Sequence, residues 1–348
     1  MVGARGFAPS AALAARSLKA LAPFRIARGV SDAAHNVFLT LEEDGRRGYG
    51  ETAPRRIYGE DVFGVVGRLE ALGPWLSSRT VESPDDVRRL WGEARPMLAP
   101  SLAALCALDL ALWDLLGKKW GASVSRLVWG SDPKALETSC SLGISPPEEW
   151  EARVEAVRRC RFVKLKSDER ADVSLPAFVR ARSDARLRID ANGSWGGLDA
   201  AERIERFAAL GAELVEQPLP PDADDRMGGL SGRSPIPILA DESCVREEDV
   251  ERMPGRFAGI NVKLVKCGGL TPALRMLEHA RALHLRVMAG CMLESSLLIA
   301  AGAVLGQRAD YVDLDGAWLL AEDAFAGVRL TDGRLELPAG PGFGVTPA

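Results

Sequence analysis

The sequence predicts an α/β chain whose main domain is a closed (β/α)8 barrel of the TIM type, and three observations predict it. Short apolar segments recur from residue 136 onwards, and amphipathic segments fill the intervals between them. There are eight such apolar segments, as many strands as a barrel of this type contains. The chain has 348 residues, 47% of them hydrophobic, which is enough for one large core and a smaller companion domain.

The first third of the chain mixes strand and helix patterns, which indicates the smaller domain. Asp44-Gly45 is a hairpin turn signal between two of its predicted strands. The predicted strands are residues 17–27, 36–42 and 47–51, and the predicted helices are residues 61–72, 85–97 and 101–119. The last helix is apolar almost all round, so we expect it to be buried between the two domains.

From residue 136 the alternation of strand and helix becomes strict, as in a parallel barrel. The predicted barrel strands are residues 136–142, 161–166, 187–191, 212–217, 236–241, 259–265, 285–290 and 310–315. Predicted helices between them include residues 147–160, 198–210 and 271–284. The tail, residues 327–345, contains the hairpin signal Thr331-Asp332-Gly333, and we expect it to fold back onto the first domain.

From the composition we expect a cytoplasmic enzyme that acts on small metabolites. The net charge is -4 with no long run of Lys and Arg, so no nucleic-acid partner is expected. No stretch is apolar for long enough to span a bilayer. The six cysteines form no CxxC pair, and we expect six reduced thiols. Residues 1–30 are basic without an acid, but they lack a continuous apolar region, which favours a short disordered leader followed by structure.

Three consecutive predicted strands end in carboxylates. Asp190 ends the third strand, Glu216 the fourth and Asp241 the fifth. Active sites of such barrels lie at these strand ends, where three anions repel one another strongly unless a cation joins them. An all-oxygen ligand set suits Mg²⁺ or Mn²⁺. Asn192 and Glu242, close to these ligands in the sequence, are the candidates for supporting positions around the metal.

Lysines flank these carboxylates on the second and sixth predicted strands. Lys164 and Lys166 share one face of a strand because they are two residues apart, and Lys263 lies on the sixth strand. A nearby cation and partial burial lower the pKa of a lysine and make it a useful base. A metal that binds a carboxylate also stabilises the charge that develops when the neighbouring carbon loses its proton. We interpret Lys266, just beyond the sixth strand, as a solvent or loop residue.

The motifs resemble the enolase superfamily, in particular its muconate-lactonising subgroup. They are Lys164-Leu165-Lys166, Asp190-Ala191-Asn192, Glu216-Gln217-Pro218, Asp241-Glu242-Ser243 and Asn261-Val262-Lys263, in that order along the chain. The resemblance implies one Mg²⁺ per subunit on Asp190, Glu216 and Asp241, with Lys166 and Lys263 as the acid/base pair and Lys164 as a helper. It also implies an α+β capping domain of residues 14–118, completed by residues 320–348, over a barrel of residues 119–319.

Two strand ends narrow the choice within the superfamily. The seventh predicted strand ends in Ala289-Gly290-Cys291, without a histidine. Relatives that resemble mandelate racemase have a catalytic histidine at this place, so that subgroup is disfavoured. The eighth ends with Asp313 and Asp315 on one inward face, where two carboxylates are costly unless they meet a cation. This pair is similar to the feature by which dipeptide epimerases bind the α-ammonium group of their substrate.

Other segments also resemble the L-Ala-D/L-Glu epimerases within this group. They are residues 23–29, which contain Arg28; residues 48–54; and residues 290–295, which contain Cys291 and Met292. The resemblance implies inversion of the α-carbon of the second residue of a dipeptide. A basic pocket in the capping loops would suit a glutamate side chain. The candidates there are Arg25, Arg28, Arg55, Arg56 and Tyr58, of which we place Arg28 and Tyr58 at the substrate.

Some alternatives stay open from the sequence. An o-succinylbenzoate synthase or an N-succinylamino acid racemase would use the same lysines and metal, although Asp313 and Asp315 disfavour it. A lactonising cycloisomerase would also use these lysines and the metal, and the same two aspartates disfavour it. An alternative that is not an enzyme is a barrel that only binds a metal or a peptide. The preferred dipeptide side chains, the arginine that faces the substrate and a role in murein-peptide recycling stay open. The resemblance implies a homo-oligomer of undetermined size.

Overall fold

A computed structural model describes residues 12–170, 172–196 and 199–348 of the chain. The expected leader lies almost entirely outside this part of the chain. The amino-terminal part contains an antiparallel sheet of three strands, as the sequence predicts: β1 (Ala12–Ile26), β2 (Gly29–Glu43) and β3 (Arg46–Thr52). Four of its helices follow, and they are α1 (Val62–Ala71), α2 (Gly73–Leu76), α3 (Pro84–Leu98) and α4 (Leu102–Trp120).

Helix α4 lies between this sheet and the barrel, and its interior positions are buried all round, as predicted. Gly50 allows β3 to approach the helix closely, because a Cβ atom there would lie 1.8 Å from the Ala107 carbonyl oxygen. On the barrel side, Trp113 Nε1 of α4 donates a hydrogen bond of 3.0 Å to Thr271 Oγ1. The amino-terminal domain is therefore anchored to the barrel by a buried polar contact as well as by apolar packing.

The barrel consists of eight parallel strands in sequential order, which confirms the predicted fold class. Its strands are β5 (Ser139–Leu142), β6 (Phe162–Lys166), β7 (Arg186–Asp190), β8 (Ala212–Glu216), β9 (Ile238–Ala240), β10 (Gly259–Lys263), β11 (Arg286–Gly290) and β12 (Tyr311–Asp313). Side chains join the first strand to the last: Asp315 Oδ2 accepts from the Ser141 amide at 2.6 Å, and Thr138 Oγ1 from the Leu314 amide at 2.7 Å.

Helices surround this barrel and connect its strands. They are α5 (Val124–Trp129), α6 (Trp150–Val157), α7 (Ser174–Arg180), α8 (Ala200–Ala209), α9 (Met227–Ser231), α10 (Leu264–Cys267), α11 (Leu270–Ala282) and α12 (Ser296–Gly306). Short 3-10 helices occur at Arg56–Tyr58, Pro147–Glu149, Pro221–Arg226, Glu247–Arg252 and Gly316–Leu319. Within the described ranges, no helix combines the length and apolar character that crossing a membrane requires.

The first predicted barrel strand, residues 136–142, is divided in the structure. Its first part, β4 (Leu136–Glu137), pairs with the tail hairpin, and only β5 enters the barrel. Thr138 stands at the change of partner, since its amide donates to the Gly333 carbonyl oxygen at 2.8 Å. The tail strands are β13 (Phe325–Ala326), β14 (Arg329–Thr331), β15 (Arg334–Glu336) and β16 (Thr346–Pro347). Apolar periodicity alone could not show that one run has two partners.

The expectation of six reduced thiols is wrong. Cys140 of β5 and Cys160, just before β6, form a disulfide across 20 residues of sequence. Their Cα atoms lie 6.4 Å apart, because neighbouring parallel strands bring the two positions side by side although no CxxC spacing announces them. The other cysteines, Cys106, Cys244, Cys267 and Cys291, are free.

Candidate active site

Three carboxylates meet at the carboxyl ends of neighbouring barrel strands. Asp190 and Glu216 are register partners at the ends of β7 and β8, and Asp241 directly follows β9. All three side chains are buried. Parallel strands end on the same rim of a barrel, so the predicted placement follows from the strand pattern.

Lysine ammonium groups lie among these carboxylates. Lys164 Nζ is 2.7 Å from Glu216 Oε2 and 3.1 Å from Asp190 Oδ2. Lys166 Nζ lies 2.5 Å from Asp190 Oδ2, and Lys263 Nζ lies 2.7 Å from Asp241 Oδ2. Because Lys166 comes from β6 and Lys263 from β10, the two approach the carboxylates of β7 to β9 from opposite sides.

The pKa shifts show how strongly these charges act on one another. Burial opposes ionisation of Asp190, but the ammonium groups of Lys166 and Lys164 outweigh it and lower the pKa of that carboxyl. Burial, followed by repulsion from Asp190, raises the pKa of Glu216 to about 7. Burial would lower the pKa of Lys263, but Asp241 and Glu216 raise it above its usual range. These carboxylates therefore hold Lys263 as an ammonium ion.

The donors fit a divalent cation. In the described ranges, no group of three or more His, Cys, Asp or Glu side chains forms a metal site as it stands, and lysine ammonium groups contact these carboxylates. Glu216 Oε2, although near Lys164 Nζ, makes no hydrogen bond of good geometry and keeps a free lone pair in the interior. A cation bound by these oxygens would replace the lysines as counter-charge and, by repulsion, lower the lysine pKa values.

Neighbouring side chains orient the candidate ligands. The backbone N–H of Asn192 donates to Asp190 Oδ1 at 2.9 Å, and Nδ2 of the Asn192 side chain lies 3.5 Å from Glu242 Oε1. Asn261, which belongs to one of the sequence motifs but is not among the predicted site residues, donates from Nδ2 to Glu216 Oε1 at 2.8 Å. Such contacts fix the directions in which ligand oxygens point.

The interpretation of Lys266 as a solvent or loop residue is wrong. The predicted sixth strand extends to Val265, but β10 ends at Lys263 and the chain turns helical in α10. This turn directs the Lys266 side chain back into the interior, where Nζ lies 2.6 Å from Asp241 Oδ1. The same Nζ also donates to the backbone carbonyl oxygens of Asp241, Cys244 and Asn261.

Lys266→Met is expected to lower the free energy of unfolding by about 3–5 kcal/mol, because it leaves a buried carboxylate and three carbonyl oxygens without their donor. Urea unfolding followed by circular dichroism measures this. The control is Lys134→Met, which removes an exposed lysine. If both variants unfold with the stability of the wild type, Lys266 does not hold Asp241 in place.

Asp313, at the end of β12, and Asp315, two residues further on, line the cavity at the barrel mouth that Lys166 and Lys263 also line. Asp313 Oδ2 lies 2.6 Å from Lys164 Nζ, whereas its buried Oδ1 has no hydrogen-bond partner. Burial, followed by repulsion from Asp313, raises the pKa of Asp315 to about 6. Because one carboxylate oxygen is unpaired and the second carboxyl is pushed toward its neutral form, the pair would gain from a bound cation.

A cavity of about 270 Å³ lies between the barrel mouth and two loops of the amino-terminal domain. Barrel residues on its wall include the predicted Cys291 and Met292, and also Ser141, which the sequence reasoning missed. The loops contribute the predicted Arg28 and Tyr58. Arg28 is already engaged, with Nη1 lying 2.5 Å from Glu242 Oε1 and 2.9 Å from the Asn192 carbonyl oxygen. Its guanidinium therefore links the loop to the barrel.

The family comparisons cover both parts of the chain. Residues 11–129 match the model of the mandelate racemase / muconate lactonizing enzyme amino-terminal domain, and residues 148–348 match the enolase C-terminal domain-like model. An L-Ala-D/L-amino acid epimerase of Flavobacterium johnsoniae is 36% identical over 330 residues, covering 95% of this chain and 97% of the relative. An L-Ala-D/L-Glu epimerase of Escherichia coli is 34% identical, covering 90% of this chain and 95% of the relative.

The solved structures that the fold resembles include one with a substrate-like ligand. The dipeptide epimerase from Methylococcus capsulatus, complexed with Mg and the dipeptide L-Arg-D-Lys, aligns with a TM-score of 0.89 at 31% identity. The alignment covers 98% of this chain and 99% of that one. The two relatives are named for L-Ala followed by an unspecified amino acid or by Glu, whereas the dipeptide in the Methylococcus structure is L-Arg-D-Lys.

Proposed function

Because this chain belongs to the mandelate racemase and muconate lactonizing enzyme family of the enolase superfamily, we propose that its barrel mouth epimerises dipeptides. The carrying observation is that Lys166 and Lys263 approach the carboxylate cluster from opposite sides, with Asp313 and Asp315 beside them. The relatives with dipeptide epimerase names support this activity. L-Ala-L-Glu is the first substrate to test.

The metal in this proposal is Mg²⁺, or Mn²⁺, with Asp190, Glu216 and Asp241 as its ligands. The related Methylococcus structure, which contains Mg, supports the choice. When bound, the ion stabilises the negative charge that develops on the substrate carboxylate as the α-proton leaves. With the ion in place, Lys164, Lys166 and Lys263 would no longer have to act as the counter-ions of these buried carboxylates.

The residues of the chain then have separate tasks. One of the lysines, Lys166 or Lys263, removes the α-proton of the second residue from one face of the carbon. The other returns a proton to the opposite face, which inverts the centre. Two bases are needed because a single base would return the proton to the face it came from. Lys164, buried between Asp190, Glu216 and Asp313, supplies a fixed positive charge near the substrate carboxylate.

The rival activities are racemisation of N-acylated amino acids and formation of o-succinylbenzoate. They would use the same lysines and carboxylates, but their substrates carry no ammonium group. Asp313 Oδ1, buried and without a hydrogen-bond partner, favours the dipeptide, because a substrate ammonium ion would satisfy it. An acyl group at the same place would leave it desolvated and unpaired.

Blocking the ammonium group of the substrate distinguishes these activities. N-acetyl-L-Ala-L-Glu is expected to be epimerised with a kcat/KM about 100-fold or more below that of L-Ala-L-Glu, since a buried charge loses its partner. Polarimetry or chiral chromatography of the two reactions gives the ratio. A wild-type enzyme that racemises N-succinylamino acids and leaves every free dipeptide unchanged would contradict the proposal.

A further inference from the structure

Arg55 is a cation of the active-site cavity that lacks a partner. It lies on the loop after β3, is half-buried, and lines the cavity together with Arg28 and Tyr58. In the part of the chain that the structure describes, its guanidinium makes no hydrogen bond and no ion pair. Arg28, by contrast, is paired with Glu242. Burial lowers the pKa of Arg55, as expected for a guanidinium that has lost water without gaining a counter-ion.

Glu294 is the acidic side chain that acts most strongly on Arg55, but it does not neutralise the positive charge of the guanidinium. Glu294 raises the pKa of Arg55 by less than burial lowers it, and the two side chains form no ion pair within the described residues. Burial raises the pKa of Glu294 to about 8, so this carboxyl is mostly protonated near neutral pH. One Glu294 oxygen already accepts a hydrogen bond from the Met292 amide. Arg55 is therefore left free to bind an anion.

The main chain of a dipeptide provides no anion for Arg55. In the proposed function, its carboxylate lies at the metal ligands and Lys164, and its ammonium group lies at Asp313 and Asp315. Both charges of the dipeptide backbone therefore have partners other than Arg55. A third charge on the substrate, negative and outside the backbone, would complete the site.

The position of Arg55 in the barrel mouth bears on which part of a bound dipeptide it would contact. Arg55 and Tyr58 also line a neighbouring cavity together with Glu242 and Lys266, which follow β9 and β10, so Arg55 lies on that side of the mouth. Asp313 and Asp315 follow from β12, on another side. In the proposed function the reacting carbon lies between Lys166 and Lys263, so the side chain of the second residue would be the one nearest Arg55.

We propose that Arg55 is the residue that selects an acidic side chain at the inverted position, binding its carboxylate through the guanidinium. The inference rests on the proposed dipeptide epimerase activity and adds its specificity. The relatives do not supply it, because their names give an unspecified amino acid, Glu and Lys at this position. The apolar side chains of Phe24, Ile26 and Ile57, also on the cavity wall, suit the methylene groups of such a side chain.

The test compares L-Ala-L-Glu with L-Ala-L-Gln, which has nearly the same shape and no side-chain charge. The wild type is expected to prefer L-Ala-L-Glu by about 10- to 100-fold in kcat/KM, the effect of one hydrogen-bonded ion pair. Arg55→Met is expected to lose most of this preference, with the change falling mainly in KM, and Arg55→Lys to retain part of it. The control is Arg25→Met, which removes an exposed arginine outside the cavity lining and should keep the wild-type ratio.

The outcomes separate this inference from the proposal on which it rests. If the wild type epimerises both dipeptides equally, or if Arg55→Met keeps the wild-type ratio, the role of Arg55 is refuted and the epimerase activity stands. If the wild type epimerises no dipeptide at all, both are refuted. Measurable turnover of L-Ala-L-Gln by Arg55→Met shows that the variant is folded, so a lost preference then supports the inference.

Discussion

Lys166→Ala and Lys263→Ala are each expected to lower the rate of epimerisation by about 10³-fold or more, while each retains proton exchange from one face of the substrate carbon. The reason is geometric. Lys166 comes from β6 and Lys263 from β10, on either side of the carboxylates, so each reaches one face only. The measurement follows α-proton exchange in D₂O by NMR, starting separately from L-Ala-L-Glu and from L-Ala-D-Glu.

Each variant should exchange the proton of one diastereomer and not the other, and the two variants should show opposite preferences. Lys134→Ala, which removes an exposed lysine, is the matched control and should epimerise like the wild type. The two-base scheme is wrong if both single variants still epimerise at wild-type rates. It is also wrong if both lose exchange of the same diastereomer and keep the other.

Removal of divalent metal by a chelator is expected to reduce epimerisation by about 10³-fold or more, because stabilisation of the developing charge is worth several kcal/mol. Added Mg²⁺ or Mn²⁺ should restore the rate. Glu216→Gln should show the same loss without recovery, since Glu216 is buried and its Oε2 keeps a free lone pair for the ion.

A binding measurement makes this prediction independent of turnover. Mg²⁺ should raise the thermal unfolding midpoint of the wild type, because a ligand that binds only the folded state stabilises it. The shift should be smaller in Glu216→Gln and unchanged in Glu205→Gln, a substitution on the exposed side of α8. An enzyme that keeps full activity after exhaustive chelation, or a shift that Glu216→Gln leaves intact, would contradict the assignment of the metal site.

Much of the barrel mouth could be predicted from the sequence because strand ends are local features. Apolar runs that end at Asp190, Glu216 and Asp241 indicate that these residues share one rim of the barrel. A spacing of two residues places Lys164 and Lys166 on one face of their strand. These placements need only the direction and order of the strands. The structure shows both as predicted.

The features that the sequence could not predict depend on contacts between distant residues. Lys266 is buried because the chain turns helical immediately after Lys263, within a run that is apolar enough to continue as a strand. The Cys140–Cys160 disulfide joins β5 to the segment just before β6, the neighbouring strand. Arg28 and Arg55 cannot be told apart in the sequence, since their roles depend on whether Glu242, 214 positions away from Arg28, is within reach.

Dipeptide epimerisation is tested most directly by incubating the wild-type enzyme with Mg²⁺ and a dipeptide library in D₂O, followed by NMR and mass spectrometry. We expect uptake of one deuterium at the α-carbon of the second residue, with L-Ala-L-Glu among the substrates and its diastereomer appearing as exchange proceeds. The α-proton of the first residue should stay. No exchange in any dipeptide, together with turnover of a succinylbenzoate precursor, would contradict the account.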